Sequence, residues 1–293
     1  MAAAATEVII EVENGIRLLG YFSQQTSQPP RGLVILIHGW EGSSDSTYIL
    51  STGRFFFRRG YDVFRLNLRD HGNSHHLNRK LFHGALTEET AQAVEKISGL
   101  LPSRPSYLVG FSLGGNFALR IALRQAAFPI QNLRRIFAVS PALDPLQSTL
   151  AIDKSLPIYR AYFLAKWKRS LRRKQACFPD LYHFDDILHH KTCMAMTEAI
   201  MPWYPEFSDY QDYFNRYTLT GKALASLAFP VTIFVSADDP VVPAEHFHEL
   251  PPNPCLTVSI QRFGGHCGFL DPFPRGCWYE RKIEEIIGQG DEG

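Results

Sequence analysis

The chain has 293 residues, a formal net charge of +1 at pH 7 and a hydrophobic content of 45%. This composition is typical of globular proteins and excludes a disordered chain, and a chain of this length buries a sizeable core without disulfide staples. Because the overall charge is close to zero, there is no general electrostatic basis for nucleic-acid binding, and we expect no nucleic-acid partner.

The first half of the chain alternates short apolar runs with helical patterns. An opening hairpin is predicted over residues 8–12 and 16–22, with its turn at Asn14 and Gly15. Further strands are predicted at residues 33–37, 62–67, 107–109 and 135–139. Helices are predicted between them at residues 47–59, 87–100 and 113–125. We expect Thr87 to cap the second of these helices.

The second half opens with a stretch that lacks this alternation of strand and helix patterns. From Pro141 to about Ala228 there is no convincing strand pattern, and aromatic residues are frequent. Strands are predicted again at residues 231–235 and 256–261, followed by a closing helix at residues 275–287. Strand and helix in alternation predict an α/β fold with a mostly parallel sheet and helices on both faces. We predict one domain over residues 1–293, with a helical cap inserted at about residues 141–228.

Cysteine usage and the start of the chain indicate a reducing compartment. The cysteines are widely spaced and form no CxxC pair, which argues against a disulfide framework and a structural zinc site. They are Cys177, Cys193, Cys255, Cys267 and Cys277. The opening MAAAATEVIIEVENG has no basic region and so is not a signal peptide, and no apolar run is long enough to span a membrane. We expect a cytoplasmic protein without a transmembrane segment.

One motif carries a specific chemical prediction. Gly110-Phe111-Ser112-Leu113-Gly114 lies between a predicted strand and a predicted helix, which is the context of a nucleophile elbow. Such a turn is so tight that side chains two positions before or after the serine would clash, which explains the glycines. We predict that Ser112 is a catalytic nucleophile and that the N–H of Leu113 faces a developing oxyanion.

A nucleophilic serine needs a base and a group that orients the base. His266 is the candidate base, because it follows the last predicted strand in the glycine-rich loop FGGHCGF. The candidate acid follows the preceding strand, in SADDPVVP, and is either Asp238 or Asp239. We favour Asp239, which directly precedes Pro240, and expect Asp238 to form a turn or cap a helix. The order Ser112, Asp239, His266 is that of the α/β-hydrolases.

A second oxyanion donor is expected in the loop after the first parallel strand, which reads IHGWEGSS. In an α/β-hydrolase the residue after His-Gly supplies this N–H group, so Trp40 is the candidate. We expect His38 to hydrogen-bond within the loop rather than to move protons.

Together these motifs resemble one branch of the α/β-hydrolases, the YheT-like hydrolases. The resemblance covers about residues 33–270 and rests on HGWEGSSDSTYI, NLRDHGNSHHLNRKLFHGA, VGFSLGGN, FDD, SADDPVVP and GGHCGFL. It implies the α/β-hydrolase fold, a triad of Ser112, Asp239 and His266, and ester hydrolysis. Some eukaryotic relatives are membrane-anchored phospholipases, and we expect no such anchor here. The chain also departs from the hydrolase pattern at Asp70, where glycine is usual.

Residues 154–174 (Lys154 to Lys174) contain eight basic residues and no acidic one. Aromatic residues alternate with these charges at helical spacing: Tyr159, Tyr162, Phe163 and Trp167. A helix with one aromatic and one basic face is therefore predicted. We expect the aromatic residues to pack over the pocket and the basic face to be solvated. The alternative is that this helix contacts an anionic membrane surface or attracts an anionic substrate.

Several histidines fall in one predicted loop, namely His71, His75, His76 and His83. No cysteine accompanies them, so we interpret the loop as a surface or active-site rim rather than a metal site. We interpret Cys267 as a small buried thiol rather than a second nucleophile. The expected chemistry needs neither a metal nor an organic cofactor.

These observations predict a serine esterase that acts on a small-molecule ester with an apolar acyl group through an acyl-enzyme. The same triad also fits acyl transfer, or amide or thioester hydrolysis. A non-catalytic binding protein and a protein that mainly binds membrane surfaces are the alternatives from other classes. The acyl length, the alcohol and the oligomeric state stay open at this point.

Overall fold

The computed structural model describes Met1, residues 5–271 and residues 276–290. Its main sheet contains β1 (Thr6–Glu11), β2 (Arg17–Ser23), β3 (Leu33–Ile37), β4 (Asp62–Leu66), β5 (Ser106–Phe111), β6 (Leu133–Val139), β7 (Val231–Ser236) and β8 (Leu256–Gln261). The spatial order is β1-β2-β4-β3-β5-β6-β7-β8. β2 pairs antiparallel with β1 and with β4, and every other neighbouring pair is parallel. The mostly parallel α/β fold predicted from the sequence is therefore confirmed.

The helices are α1 (Thr47–Phe57), α2 (Thr87–Ser98), α3 (Leu113–Arg124), α4 (Pro145–Lys154), α5 (Pro157–Cys177), α6 (Asp185–Leu188), α7 (Cys193–Ile200), α8 (Tyr210–Asn215), α9 (Glu245–His248) and α10 (Trp278–Gly290). A short antiparallel ladder, β9 (Leu270–Asp271) with β10 (Gly276–Cys277), precedes α10. The closing helix thus begins at Trp278 rather than at the predicted residue 275, which lies outside the described residues.

Helices cover the sheet on both faces. This cover explains why the sequence of β3 is uniformly apolar. Val34 and Leu36 pack in one core cluster, which includes side chains of α1 and α10. Leu33, Ile35 and Ile37 pack in the other, which includes side chains of α2 and α3. Because neighbouring strand residues point to opposite faces, a strand covered on both sides needs an uninterrupted apolar run.

The predicted cap of α2 is wrong. Leu86 occupies the N-cap position without a side-chain hydrogen bond, and Thr87 is the first helical residue. The Thr87 hydroxyl accepts a hydrogen bond from the guanidinium of Arg120 on α3. A tertiary partner therefore engages the hydroxyl that a local capping rule assigns to the helix end.

Residues 140–230, all of which are described, contain α4 to α8 and no strand, and we call them the helical segment. Within it, α4 contacts α5, α7 and α8. Both ends of the helical segment are tied to α3, because the Asn116 side-chain amide donates hydrogen bonds to the carbonyls of Ala142 and Tyr217, at 2.8 Å each. The helices thus occupy the strand-free stretch predicted from the sequence.

Candidate active site

Ser112 stands at the junction between β5 and α3, in a backbone conformation that few non-glycine residues adopt. Its φ is 52° and its ψ is −117°. A Cβ added to Gly110 would lie 2.2 Å from the carbonyl oxygen of Gly114. A Cβ added to Gly114 would lie 2.4 Å from the carbonyl oxygen of His38. Glycine is therefore required on both sides of the serine, as the motif predicts.

The structure brings Ser112, His266 and Asp239 into one hydrogen-bonded chain, although they follow three different strands. His266 Nε2 lies 3.0 Å from Ser112 Oγ. His266 Nδ1 lies 3.0 Å from both carboxylate oxygens of Asp239. Because an ionised carboxylate can only accept hydrogen bonds, Nδ1 carries a proton and leaves Nε2 free to accept the serine proton.

The Asp239 side chain is buried, and its carboxylate accepts hydrogen bonds from three donors. Its Oδ1 accepts the backbone N–H groups of Val241 and Val242, at 2.9 and 3.0 Å, in addition to the bond from His266. Burial acts to raise the pKa of Asp239, but the hydrogen bond and charge of His266 and the two N–H groups outweigh it, so the pKa lies below its usual value. Asp239 is therefore ionised at neutral pH.

The neighbouring Asp238 has a different role in the loop. Its Oδ1 accepts the N–H groups of Gly264 and Gly265, at 2.9 and 2.8 Å. The N–H of Gly265 in particular lowers the pKa of Asp238, whose carboxylate is solvent-accessible. Asp238 thus orders the turn that leads into His266, in line with the turn-forming role expected of it.

The loop after β3 passes directly against the serine. A Cβ added to Gly39 would lie 2.9 Å from Ser112 Cβ. Trp40 follows in this loop, and Leu113 is the first residue of α3, where a backbone N–H has no partner within the helix. His38 is buried, its Nδ1 lies 2.7 Å from the Gly39 carbonyl, and its Nε2 accepts the N–H of Leu68. These bonds agree with the expectation that His38 hydrogen-bonds within the loop.

A cavity of about 100 Å³ opens beside Ser112 and is roofed by the helical segment. Most of its wall is apolar or aromatic, including Phe163, Trp167, Ile200, Tyr213 and Tyr217. Glu41 also lines it, and burial raises the pKa of this carboxyl to about 8, although the nearby Lys166 opposes the shift. Glu41 is therefore largely protonated at pH 7, and it adds little charge to the cavity.

Comparison with protein families agrees with this geometry. The family model described as alpha/beta hydrolase fold matches residues 32–179, about half of the chain. The chain belongs to the α/β hydrolase fold family. The fold class inferred from the motifs is thereby confirmed.

Curated relatives of this α/β hydrolase include enzymes that act on esters. Phospholipase ABHD3 of Mus musculus is 23% identical over 291 residues, which cover 94% of this chain and 69% of the mouse protein. YheT of Escherichia coli (strain K12), whose name assigns it only provisionally as an esterase, is 23% identical over 254 residues, covering 84% of this chain and 72% of YheT. The relationship to YheT inferred from the motifs is therefore confirmed.

Solved structures share the fold of this α/β hydrolase over almost its whole length. The Pyrococcus furiosus esterase Pf2001 matches with a TM-score of 0.62 at 15% identity, covering 97% of this chain and 90% of the esterase chain. A structure described as a membrane phospholipase A matches with a TM-score of 0.59 at 14% identity, covering 99% of this chain and 88% of the other. At such identities the likeness concerns the fold alone.

Sequence reasoning gave no role to Asp70, and the structure gives this hydrolase a buried ion pair there. Asp70 Oδ1 lies 2.8 Å from Lys174 Nζ, and Asp70 Oδ2 accepts the N–H of Phe82 at 2.9 Å. Lys174 also donates to the carbonyls of Asn78 and Lys80. Asp70 therefore fastens the loop after β4 to α5 of the helical segment. An unusual acid in a motif, together with a lysine in an aromatic helix, is the signal that could have suggested it.

His71 supports the loop that carries Trp40. Its Nδ1 lies 2.7 Å from the Arg69 carbonyl and so carries the proton, while its Nε2 accepts the N–H of Glu41 at 3.1 Å. Burial lowers the pKa of His71 to about 4, which keeps the ring neutral and able to accept this bond at pH 7. Glu41 has a φ of 54°, so the loop is in a conformation that needs such support.

The histidine loop is interpreted from the sequence as a surface or an active-site rim. The rim interpretation holds for His71, which lines the cavity beside Ser112, whereas the surface interpretation is wrong for most members of the loop. His71, His75 and His83 are all buried, beneath or beside the helical segment. His75 Nε2 lies 2.9 Å from Ser170 Oγ of α5. The loop is covered because α5 packs across it, a contact that local sequence does not reveal. Cys267, by contrast, is a buried thiol as predicted, and burial raises its pKa above the usual value.

The predicted division of α5 into an aromatic and a basic face is only half right. Phe163 and Trp167 line the cavity, as expected. Lys174 is buried, however, while Tyr159 and Tyr162 are exposed. Lys174 lies inside because the Asp70 carboxylate and two backbone carbonyls bind its ammonium group. The outer face of α5 carries aromatic and basic residues together. Among the described residues, no helix is both long and apolar enough to cross a membrane.

Proposed function

We propose that this α/β hydrolase cleaves carboxylic esters, with Ser112 as nucleophile, His266 as general base and Asp239 as the group that orients His266. The observation that carries the proposal is the chain of 3.0 Å contacts from Ser112 Oγ through His266 to Asp239. These distances lie within the range over which a base can take a proton from a nucleophile.

In the first half of the reaction, Ser112 Oγ attacks the ester carbonyl carbon while its proton passes to His266 Nε2. Asp239 accepts the Nδ1–H bond, keeps the ring in this tautomer and stabilises the imidazolium that forms. The N–H groups of Trp40 and Leu113 bind the negative oxygen of the tetrahedral intermediate. One such donor typically contributes about 3–4 kcal/mol to transition-state stabilisation.

In the second half, the imidazolium gives its proton to the leaving alcohol, and the acyl group stays on Ser112 as an ester. His266 then takes a proton from water, whose oxygen attacks the acyl carbonyl. The second tetrahedral intermediate breaks down to the free acid, and Ser112 recovers its proton from His266. Apart from the ester and one water molecule, the groups that act in these steps are side chains and backbone N–H groups of this chain.

The size and lining of the cavity bear on which acyl groups this hydrolase would accept. Its volume of about 100 Å³ is small beside the roughly 300–1,000 Å³ of pockets for drug-sized ligands. Its wall is largely apolar, and the helical segment acts as the cap of a single domain. We therefore expect short, uncharged acyl groups to be preferred. The esterase and phospholipase names of the relatives support hydrolysis of esters as the general chemistry.

A series of p-nitrophenyl esters from two to twelve acyl carbons tests the proposal. We expect kcat/KM to be highest for the short esters and to fall at least tenfold toward twelve carbons, because the cavity cannot seat the longer chain. Ser112→Ala should abolish hydrolysis and also labelling by a fluorophosphonate probe. Wild-type protein that neither hydrolyses any ester nor reacts with the probe would rule the proposal out.

A further inference from the structure

The corner between α4 and α5 exposes an unusual amount of apolar surface. Among the described residues, ten large hydrophobic side chains are exposed, and four of them lie within residues 156–162. These four, which we call the apolar corner, are Leu156, Ile158, Tyr159 and Tyr162. Leu156 is 71% exposed and Ile158 is 76% exposed. Single exposed apolar residues need no explanation, but a local cluster of this kind marks a surface that something covers.

The same outer side of α5 continues into a cluster of positive charge. Ile158, Tyr162, Arg169 and Arg173 are spaced by 4, 7 and 4 residues and so share one side of the helix, which is about 30 Å long. Arg172 is exposed beside them. Within the described part of the chain, none of these three arginines forms an ion pair. The exposed surface of α5 is therefore apolar in its first half and basic in its second.

The apolar corner adjoins the wall of the cavity. The ring of Tyr162 meets that of Phe163 edge-on at 5.6 Å, and Phe163 stacks on Trp40 at 5.8 Å. Phe163 and Trp40 both line the cavity that opens at Ser112. Only one ring therefore separates the exposed surface from the space where an acyl group would bind.

We propose that the apolar corner and the basic half of α5 together dock this protein on an anionic lipid surface. Apolar and tyrosine side chains at one end of a helix, flanked by arginines, suit the boundary between lipid headgroups and acyl chains. The arginines supply attraction to anionic headgroups. Docking would bring the mouth of the cavity close to the membrane surface.

Charge also argues against a second copy of this chain as the occupant. A symmetric dimer through this surface would place α5 against α5. Residues 154–174 contain eight basic residues and no acidic one, so the two copies would bring like charges together. An anionic surface complements both halves of the helix, whereas the same surface of a second copy complements only the apolar half.

Sedimentation of the full chain with vesicles tests the proposal. We expect binding to vesicles of 30% phosphatidylserine in phosphatidylcholine, and about tenfold weaker binding to pure phosphatidylcholine or in high salt, because salt screens the arginines. Leu156→Ser/Ile158→Ser should weaken binding at least tenfold at every salt concentration. Arg169→Gln/Arg172→Gln should remove most of the dependence on salt and on anionic lipid.

Phe128→Ser is the matched control, since Phe128 is 59% exposed but lies in the turn after α3. It should leave vesicle binding unchanged, and all these variants should hydrolyse a soluble short-chain ester as the wild type does. No binding to anionic vesicles at low salt would overturn the proposal, as would equal binding by wild type and Leu156→Ser/Ile158→Ser. A wild-type dimer that the same double variant converts to monomers would also overturn it.

This test is independent of the proposed hydrolysis. Sedimentation measures binding without turnover, and Ser112→Ala should bind vesicles as tightly as wild type. Wild-type protein that binds vesicles but hydrolyses no ester would contradict the proposed function alone. Wild-type protein that hydrolyses esters but does not bind vesicles would contradict the docking surface alone.

Discussion

Ser112 and the two glycines around it show how strictly one tight turn restricts the residue types at neighbouring positions. The serine holds a φ of 52° because β5 must turn into α3 within a single residue. Gly114 passes within van der Waals distance of the backbone of the neighbouring strand β3, so any larger residue would separate the strand from the helix. The motif is therefore readable from the sequence alone, since the same steric limits apply wherever such a turn forms.

At the same scale, the two adjacent aspartates should respond differently to the same substitution. Asp239→Asn replaces the acceptor of the His266 Nδ1–H bond with a group that can donate, which favours the wrong tautomer. We expect kcat to fall by about 10⁴ with little change in the unfolding transition. Steady-state kinetics with a soluble ester and a thermal melt provide the two measurements.

Asp238→Asn is the matched control, because Asp238 accepts hydrogen bonds from the glycine N–H groups that precede His266 rather than from the His266 ring. An asparagine oxygen can still accept these bonds, so we expect less than a tenfold loss of kcat. A larger loss from Asp238→Asn than from Asp239→Asn would reverse the assignment of the acid.

At the scale of elements, α5 is the part of the chain where sequence and structure differ most instructively. Helical spacing predicts the helix, which spans Pro157–Cys177, but not which of its residues turn inward. Lys174 is buried because Asp70 and two carbonyls of the loop after β4 bind its ammonium group. These partners lie about a hundred residues away in the chain, so no local pattern identifies them.

The Asp70–Lys174 pair should behave as a buried ion pair that is sensitive to removal of one partner. Burial raises the pKa of Asp70 to about 6, despite the opposing charge of Lys174, so the Asp70 carboxyl is ionised at pH 7.5. Asp70→Asn leaves the ammonium group buried without its counter-charge, and we expect it to cost about 3 kcal/mol in unfolding free energy. Urea denaturation at pH 7.5 measures this difference.

The double variant Asp70→Asn/Lys174→Met removes both charges and should recover at least half of the lost stability. Asp180→Asn, which disrupts an exposed pair with Arg79, should change the stability little. If Asp70→Asn has no larger effect than Asp180→Asn, the pair does not fasten the loop to α5.

At the scale of the whole molecule, charge is distributed unevenly although the total is close to zero. Residues 154–174 contain eight basic and no acidic residues, which leaves 22 basic and 29 acidic residues elsewhere. The overall charge of +1 correctly argues against a generally basic binder but conceals a local positive surface. Several histidines are also buried in the interior, which couples the stability of the whole fold to pH.

His75 provides a direct test of this coupling. Burial, reinforced by the nearby His71, Arg173 and Lys174, lowers its pKa to about 3, so the folded state keeps it neutral. As pH falls from 7 to 5, the unfolded chain gains a proton at this position and the folded chain does not, which lowers the stability of the fold. Replacing His75 should therefore reduce the loss of stability on acidification.

We expect His75→Gln to lose up to about 2 kcal/mol less unfolding free energy than wild type between pH 7 and pH 5. Glutamine can still hydrogen-bond Ser170, so most of the packing is kept. Urea denaturation of both proteins at the two pH values measures the difference. Identical pH dependence would mean that His75 gains its proton over the same pH range in the folded and the unfolded chain.

The sequence by itself determined the sheet, the elbow and the residues around it. Strand and helix periodicity reflects burial on two faces, and the motif residues are fixed by steric limits within a few neighbouring positions. These features depend on local spacing, and the structure agrees with them at β3, at β5 and at Gly110 and Gly114.

Only the tertiary structure decided which of the two aspartates contacts His266, that Asp70 pairs with Lys174, and that His71 supports the loop of Trp40. It also decided that the apolar corner is exposed while Phe163 and Trp167 face the cavity. Each of these depends on how α5 and the strand-end loops pack across long sequence separations. Side chains that are far apart in the sequence then compete for the same partners. The spacing of neighbouring residues does not indicate which of these contacts will form.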